Sequence, residues 1–349
     1  MGCPRLEQRG KANRVRMRMS LALTVIACIA TAVMSCPRAA IAQTASKDTD
    51  SPVWPQRTIR FIVPFGPGAA SDIAARLLAG RLQKVWGTAV IVENRPGGDG
   101  LVSIGAFVTA KDDHTLFLTP TTTFLVHPYT QDNLPYDIDR DLQPIAWISN
   151  TAIGIGVTAT LPVATLKDFV DHAKREAGKV NYGVSGGYLE FVWDGFRRQH
   201  AIPMVKVPFR DIVQAPLDLG EGRIDVLMTS VPTHRPMLQA GKTKLLAIGD
   251  PQRSELVPGV PTVIEAGFPE LQILSMNALF GPAHMPLELR QRVSKDVAAA
   301  LKEKDIVEKL RASGQQEVGG GPDALAATLA EQQAQVTRIA HVLGVARKR

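Results

Sequence analysis

The chain has 349 residues, enough for two domains at roughly 150 residues each and for a sizeable core. Hydrophobic residues at 45% and charged residues at 21% match ordinary globular usage and exclude a disordered or fibrous chain. The net charge of +7 is concentrated before residue 43, where seven basic residues and one acid lie, leaving 33 basic against 32 acidic residues downstream.

That near-neutral body, with only 5% aromatics, offers neither the charge nor the stacking surface of a nucleic-acid groove. Cys3, Cys28 and Cys36 also precede residue 43, so the body has no disulfide, thiol nucleophile or thiolate metal site. Arg14, Arg16 and Arg18 lead into an apolar run over residues 21–34, and Ala40-Ile41-Ala42 forms a small-x-small cleavage pattern. The run is shorter than the roughly 20 apolar residues of a membrane span. Residues 1–42 therefore read as a signal peptide, whose start could also be Met17 or Met19. Val33-Met34-Ser35-Cys36 fits a lipoprotein box poorly at Met34, which favours cleavage after Ala42 over lipidation of Cys36. Residues 43–53 read as a flexible mature start.

In the body, residues 58–63 form a β-branched and aromatic run that reads as a buried strand. A loop rich in Gly and Pro follows over residues 64–72, and Ile73, Leu77, Leu78, Leu82, Val85 and Trp86 then recur at helical spacing up to Gly87. Ser71 or Asp72 is the expected cap. Strands at residues 90–92 and 116–118 complete an α/β unit with a mainly parallel sheet. The middle continues with strands at 153–157, 180–182, 205–207, 224–227 and 245–248, and helices at 166–174 and 215–219. Leu289, Val293, Val297 and Leu301 share one face of a C-terminal helix, and Leu325, Leu329, Val336 and Leu343 share a face of another.

Four features carry possible chemistry. The strand–loop–helix at residues 58–86 presents helix-start amides suited to a small anion. Gly66-x-Gly68-x-x-Ser71 stops short of a dinucleotide fingerprint, and a plain structural turn is the rival. Gly183-x-Ser185-x-Gly187 after a strand matches a hydrolase nucleophile elbow, with Asp225 and His234 or His284 in the required order. The seven histidines are scattered without metal-ligand spacing, so no metal and no cofactor is expected. Arg210, after the strand at 205–207, either forks onto a carboxylate or bridges Asp211 or Glu221.

Several stretches together resemble one family: residues 54–76 (WPQRTIRFIVPFGPGAASDIAAR), residues 92–98 (VENRPGG), and residues 134–137 (LPYD). Residues 207–227 (VPFRDIVQAPLDLGEGRIDVL), residues 258–267 (PGVPTVIEAG) and residues 279–283 (LFGPA) continue the series in order. The chain is similar to the exported substrate-binding receptors of tripartite tricarboxylate transporters, the Bug receptors. The resemblance implies an α/β, two-lobed periplasmic binding protein-like (type II) fold with a ligand cleft between lobes. Residues 54–148 with 278–349 form lobe 1, and residues 149–277 form lobe 2. It also implies a periplasmic monomer without catalysis that captures a small organic acid for membrane permease subunits; alternatives are a sensor partner or a G-x-S-x-G hydrolase.

Carried over by position, the ligand-binding residues are Phe65, Gly66, Pro67, Gly68, Ala69, Ala70, Ser71 and Asp72 in the first-lobe loop. Thr121, Thr122 and Thr123 fall on a hydroxyl-rich loop after the third strand, and Ser185, Gly186 and Gly187 on the facing loop. Arg210 joins them from the residue reading. The family usually has Gly-Gly at Ala69-Ala70 and a Lys at Arg210, and its Ser, Thr and His run is shortened here to Tyr188-Leu189-Glu190-Phe191. Tyr188 and Phe191 suit either a longer acid or the core.

Overall fold

The computed structural model describes residues 54–348 except Ser185, Arg210 and Asp211. The leader, its cleavage point, Cys36 and residues 43–53 lie outside the described residues, as do the candidate site residues Ser185 and Arg210.

In chain order, β1 (Ile59–Val63), α1 (Ala70–Trp86), β2 (Val90–Asn94), α2 (Leu101–Ala110) and β3 (Thr115–Pro120) alternate before β4 (Gln143–Thr151). One residue later begins β5 (Ile153–Thr158), followed by α3 (Leu166–Arg175), β6 (Asn181–Val184), α4 (Gly187–Gln199) and β7 (Val205–Pro208). Next come α5 (Ala215–Gly220), β8 (Val226–Ser230), α6 (Val231–Gln239) and β9 (Thr243–Ile248). The chain closes with β10 (Ser275–Gly281), α7 (Leu287–Ala300), α8 (Lys304–Ala312), β11 (Gln315–Gly320) and α9 (Pro322–Leu343).

The strands form two sheets, ordered β11-β4-β10-β3-β1-β2 and β7-β6-β8-β5-β9. The chain crosses between them at Ala152 and returns over residues 249–274. The expected lobe boundaries at 148/149 and 277/278 fall within β4 and β10, and both strands stay wholly in the six-stranded sheet. The two crossings lie side by side: Gly249 N–H donates to Ile153 O at 2.8 Å, and Ile273 N–H donates to Gly249 O at 2.8 Å.

The sheets are not mainly parallel. β1 runs parallel to β2 and β3, and β6 runs parallel to β7 and β8. However, β10 is antiparallel to both β3 and β4, β11 is antiparallel to β4, and β5 is antiparallel to β8 and β9. The cause is the double crossing: a strand that brings the chain back must run against the one that carried it out.

Local packing follows from the apolar pattern. Four of the five residues of β1 are buried, as expected where both faces of a sheet are covered. α1 buries Ala75, Leu78, Ala79 and Leu82 at spacings of three and four, and the two leucines stabilise it by about 1.5–3 kcal/mol each. It ends where Gly87 adopts a left-handed conformation at φ 65°. Its N-cap is Ala69, with no side-chain cap, rather than Ser71 or Asp72. α9 packs on β4 and against α4, where Gly195 lets Ile339 approach; a Cβ there would stand 2.6 Å from Ile339 Cγ2.

Candidate functional site

β2, β1 and β3 are neighbours, so the loops leaving their carboxyl ends emerge side by side, where open α/β sheets bind ligands. The loop after β1 is shaped by Asp72, whose side chain is 3% exposed. Asp72 Oδ2 accepts from Gly68 N–H at 2.9 Å and from Arg76 Nε at 3.1 Å, while Oδ1 accepts from Asn94 Nδ2 at 2.8 Å. Asn94 Nδ2 also donates to Phe65 O at 2.7 Å. Burial alone would raise the Asp72 carboxyl, but the bonds from Arg76, the Gly68 amide and Asn94 outweigh it and hold it below its ordinary value. The charge of Asp72 is thus spent inside the loop.

This arrangement leaves the start of α1 open. Its first regular bond is Ile73 N–H to Ala69 O, so the amides of Ala70, Ser71 and Asp72 lack intrahelical acceptors. Gly68 has φ +90° and open space where a side chain would stand. Ser71 Oγ and Thr121 Oγ1 are buried and have no hydrogen-bond partner among the described residues. Burying a hydroxyl unpaired costs about 1–3 kcal/mol, so both are poised for an acceptor or donor from outside the fold.

Thr121, Thr122 and Thr123 form a single helical turn directly after β3 and lie against α4. Thr123 Oγ1 accepts from Thr119 Oγ1 at 3.1 Å. The loop after β2 closes on the same turn: a Cβ on Gly100, at φ +88°, would stand 2.3 Å from Thr123 Cγ2. The base of the loop after β1 is pinned by Gln315, 1% exposed, whose Nε2 donates to Ala70 O at 2.9 Å. Gln315 Oε1 in turn accepts from Ser149 Oγ at 2.7 Å and Asn277 Nδ2 at 3.0 Å.

Across from these loops, Gly186 and Gly187 have positive φ (85° and 71°), and α4 starts at Gly187. A Cβ on Gly187 would stand 3.3 Å from Asp99 Oδ1, so the two sets of loops face each other at contact distance. Tyr188 and Phe191 are core: they are 2% and 7% exposed, and the Tyr188 hydroxyl donates to Gln335 Oε1 at 3.1 Å.

β6 ends at Val184 and α4 starts at Gly187, the strand-then-helix order of a nucleophile elbow, but Asp225 and His234 are engaged elsewhere. Asp225 Oδ2 accepts from Asn181 N–H at 2.7 Å. His234 is fully buried with Nε2 3.3 Å from Gly154 O, and burial drives its pKa down to about 4. Its ring fills the space a side chain at Gly156 would need, 2.5 Å from a Cβ built there. His284 is exposed. Among the described residues, no group of three or more metal-ligating side chains occurs.

The structure therefore sets the loop at residues 65–72 and the Thr121–Thr123 turn at the ends of adjacent strands, with the Thr turn against α4 and Gly187 against Asp99 in the loop after β2. Sequence reasoning missed Asn94, Asp99 and Gln315. Asn94 and Asp99 stand in or beside the stretch at residues 92–98, whereas nothing in sequence ties Gln315 to Ala70. A separate cavity of about 200 Å³ lies beside the crossings, lined by Asn150, Ala152, Asp250, Gln252, Arg311 and Gln315 among others. Burial pushes the Asp250 carboxyl up to about 7, and its Oδ2 has no hydrogen-bond partner among the described residues.

Comparison with known proteins places residues 74–345 on the tripartite tricarboxylate transporter family receptor. BugT of Bordetella pertussis is 28% identical over 298 residues, covering 84% of this chain and 90% of that protein. A structure described as a periplasmic transporter is 30% identical with a TM-score of 0.72, covering 82% of this chain and 97% of its own. A protein of R. palustris solved with adipate is 28% identical with a TM-score of 0.71, covering 84% and 99%.

Proposed function

From a chain that belongs to the tripartite tricarboxylate transporter receptor family, we infer a periplasmic receptor that closes on a small carboxylate and delivers it to membrane permease subunits. The observation that carries the ligand class is the cluster of free α1 amides beside the unpaired hydroxyls of Ser71 and Thr121. Amides at a helix start and its dipole favour a carboxylate, and two hydroxyls set its orientation. The adipate held by the R. palustris protein is of this chemical class.

We divide the lobes at Ala152 and within residues 249–274, so that each lobe keeps one sheet whole. A ligand touching loops of both lobes stabilises the closed form by its differential contacts. Ser185, between β6 and Gly186, is a ligand contact of the second lobe and not a nucleophile. A nucleophile needs a histidine in reach, and His234 is committed to the β5 backbone. The protein binds its acid and releases it unchanged.

Titration calorimetry of the mature protein with dicarboxylates of four to six carbons tests this reading. Saturable binding of one equivalent is expected, with no labelling of Ser185 by a serine-reactive phosphonate. Ester turnover with stoichiometric labelling of Ser185 would replace the receptor by a hydrolase.

A further inference from the structure

One charged group in the facing loops has no use for a ligand made of carboxylates alone. Asp99 stands in the loop after β2 at φ 52°, between Gly98 and Gly100, which also have positive φ. Its side chain is 46% exposed, and Oδ1 approaches the start of α4 at Gly187. Oδ2 lies 3.5 Å from Nε2 of His127, a fully buried ring. His127 Nδ1 is 2.7 Å from the Tyr136 hydroxyl, and Nε2 makes no hydrogen bond among the described residues.

These contacts orient Asp99 without neutralising it by a lysine or arginine. Burial, and then the charge of Asp99, push the Tyr136 phenol up, so it keeps its proton. The bond between Nδ1 and that hydroxyl fixes the ring so that its Nε2 edge faces Asp99. His127 and Tyr136 are thus positioning residues behind the carboxylate. Cations on the surrounding elements have other partners: Arg76 on α1 pairs with Asp72, Arg95 after β2 with Glu93, and Lys206 on β7 with Glu190. Among the described residues, no lysine or arginine forms an ion pair with Asp99.

A ligand carrying only carboxylates would bring like charge towards Asp99, whereas a protonated amine would supply the missing cation. We propose that Asp99 selects an aminocarboxylate, its carboxylate held by the amides of α1 and its ammonium held by Asp99 beside Gly187. This rests on the carboxylate reading above and narrows the substrate class of the same cleft.

The test uses matched pairs: succinate with aspartate, glutarate with glutamate, and adipate with 2-aminoadipate. Each is titrated calorimetrically into the wild type, Asp99→Asn and Asp99→Gly. Asn and Gly both tolerate the left-handed backbone at this position, and thermal melts confirm that each variant is folded. In the wild type, at least one amino acid should bind about 10- to 100-fold tighter than its parent, the range for a hydrogen bond to a charged group. Both variants should erase that preference, with the parent acids bound more tightly than by the wild type because the like charge of Asp99 is gone. Parent acids binding as tightly as amino acids in the wild type, or a preference that survives both variants, would overturn the role of Asp99 and leave the carboxylate reading standing. Failure of all six acids to bind the wild type would overturn both.

Discussion

Replacing Asp72 by Asn perturbs the loop after β1 at its organising charge. The carboxylate accepts three hydrogen bonds, from Gly68 N–H, Asn94 Nδ2 and Arg76 Nε, and Arg76 Nη2 lies 3.0 Å from its Oδ1 as an ion pair. An amide keeps one acceptor oxygen and turns an NH₂ towards donors. Hydrogen bonds to a charged group contribute about 1.5–3 kcal/mol each where buried. The Arg76 side chain is 51% exposed, so its share is at most about 1 kcal/mol. Together with the unpaired Gly68 amide, the expected loss is about 2–4 kcal/mol. At about 2.1 cal/mol/K per residue over roughly 300 residues, this lowers Tm by about 3–6 °C. The pH dependence has a fixed sign. The folded carboxyl titrates below its unfolded value, so its stabilisation is fully present above that value and is lost as pH falls through the folded one. The deficit of Asp72→Asn, measured by urea unfolding, should therefore be full at pH 7 and shrink below about pH 4. Acid affinity should drop at least about tenfold, since the Gly68 and Ala69 backbone is no longer held. A loss under about 0.5 kcal/mol with unchanged affinity would refute the assignment of Asp72 as the organiser of this loop.

Two further outcomes follow from single positions. Gly68→Val meets no neighbouring atom but must adopt φ +90°, so it should cost about 1–2 kcal/mol in melting experiments and weaken acid binding in calorimetry; unchanged affinity would mean that the ligand does not approach this backbone. Asp250, whose folded pKa of about 7 exceeds the unfolded value, holds its proton better in the native state, so its contribution to stability falls as pH rises from about 4 to about 7. Asp250→Asn should then be up to about 4 kcal/mol more stable than wild type at pH 8 and close to it at pH 4, by urea unfolding; an equal difference at both pH values would contradict the buried carboxyl.

Much of the first lobe was legible because its signals are local. The apolar run at β1, the Gly-rich loop and the helical spacing up to Gly87 each report one element and its neighbour. Strand direction was not legible, since the apolar run at β10 reads alike whether its partners run with or against it. The cap was misplaced for a related reason: Asp72 reaches back to Gly68 from within the first turn, a geometry that residue type alone does not distinguish from an N-cap. Tyr188 and Phe191 left two readings open, and packing decided between them once α9 supplied Gln335. Asp99 reads as a turn residue among glycines; its proximity to His127 and Gly187 exists only once the loop after β2 meets α4.

The most direct measurement is a crystal structure of the mature protein with the acid that binds it most tightly. A carboxylate of that acid is expected within about 3 Å of the amides at the start of α1 and of the Ser71 or Thr121 hydroxyl, with the loop at residues 185–187 closing over its far end. An acid found instead in the cavity beside Asp250, with the loop at residues 65–72 uncontacted, would contradict the account.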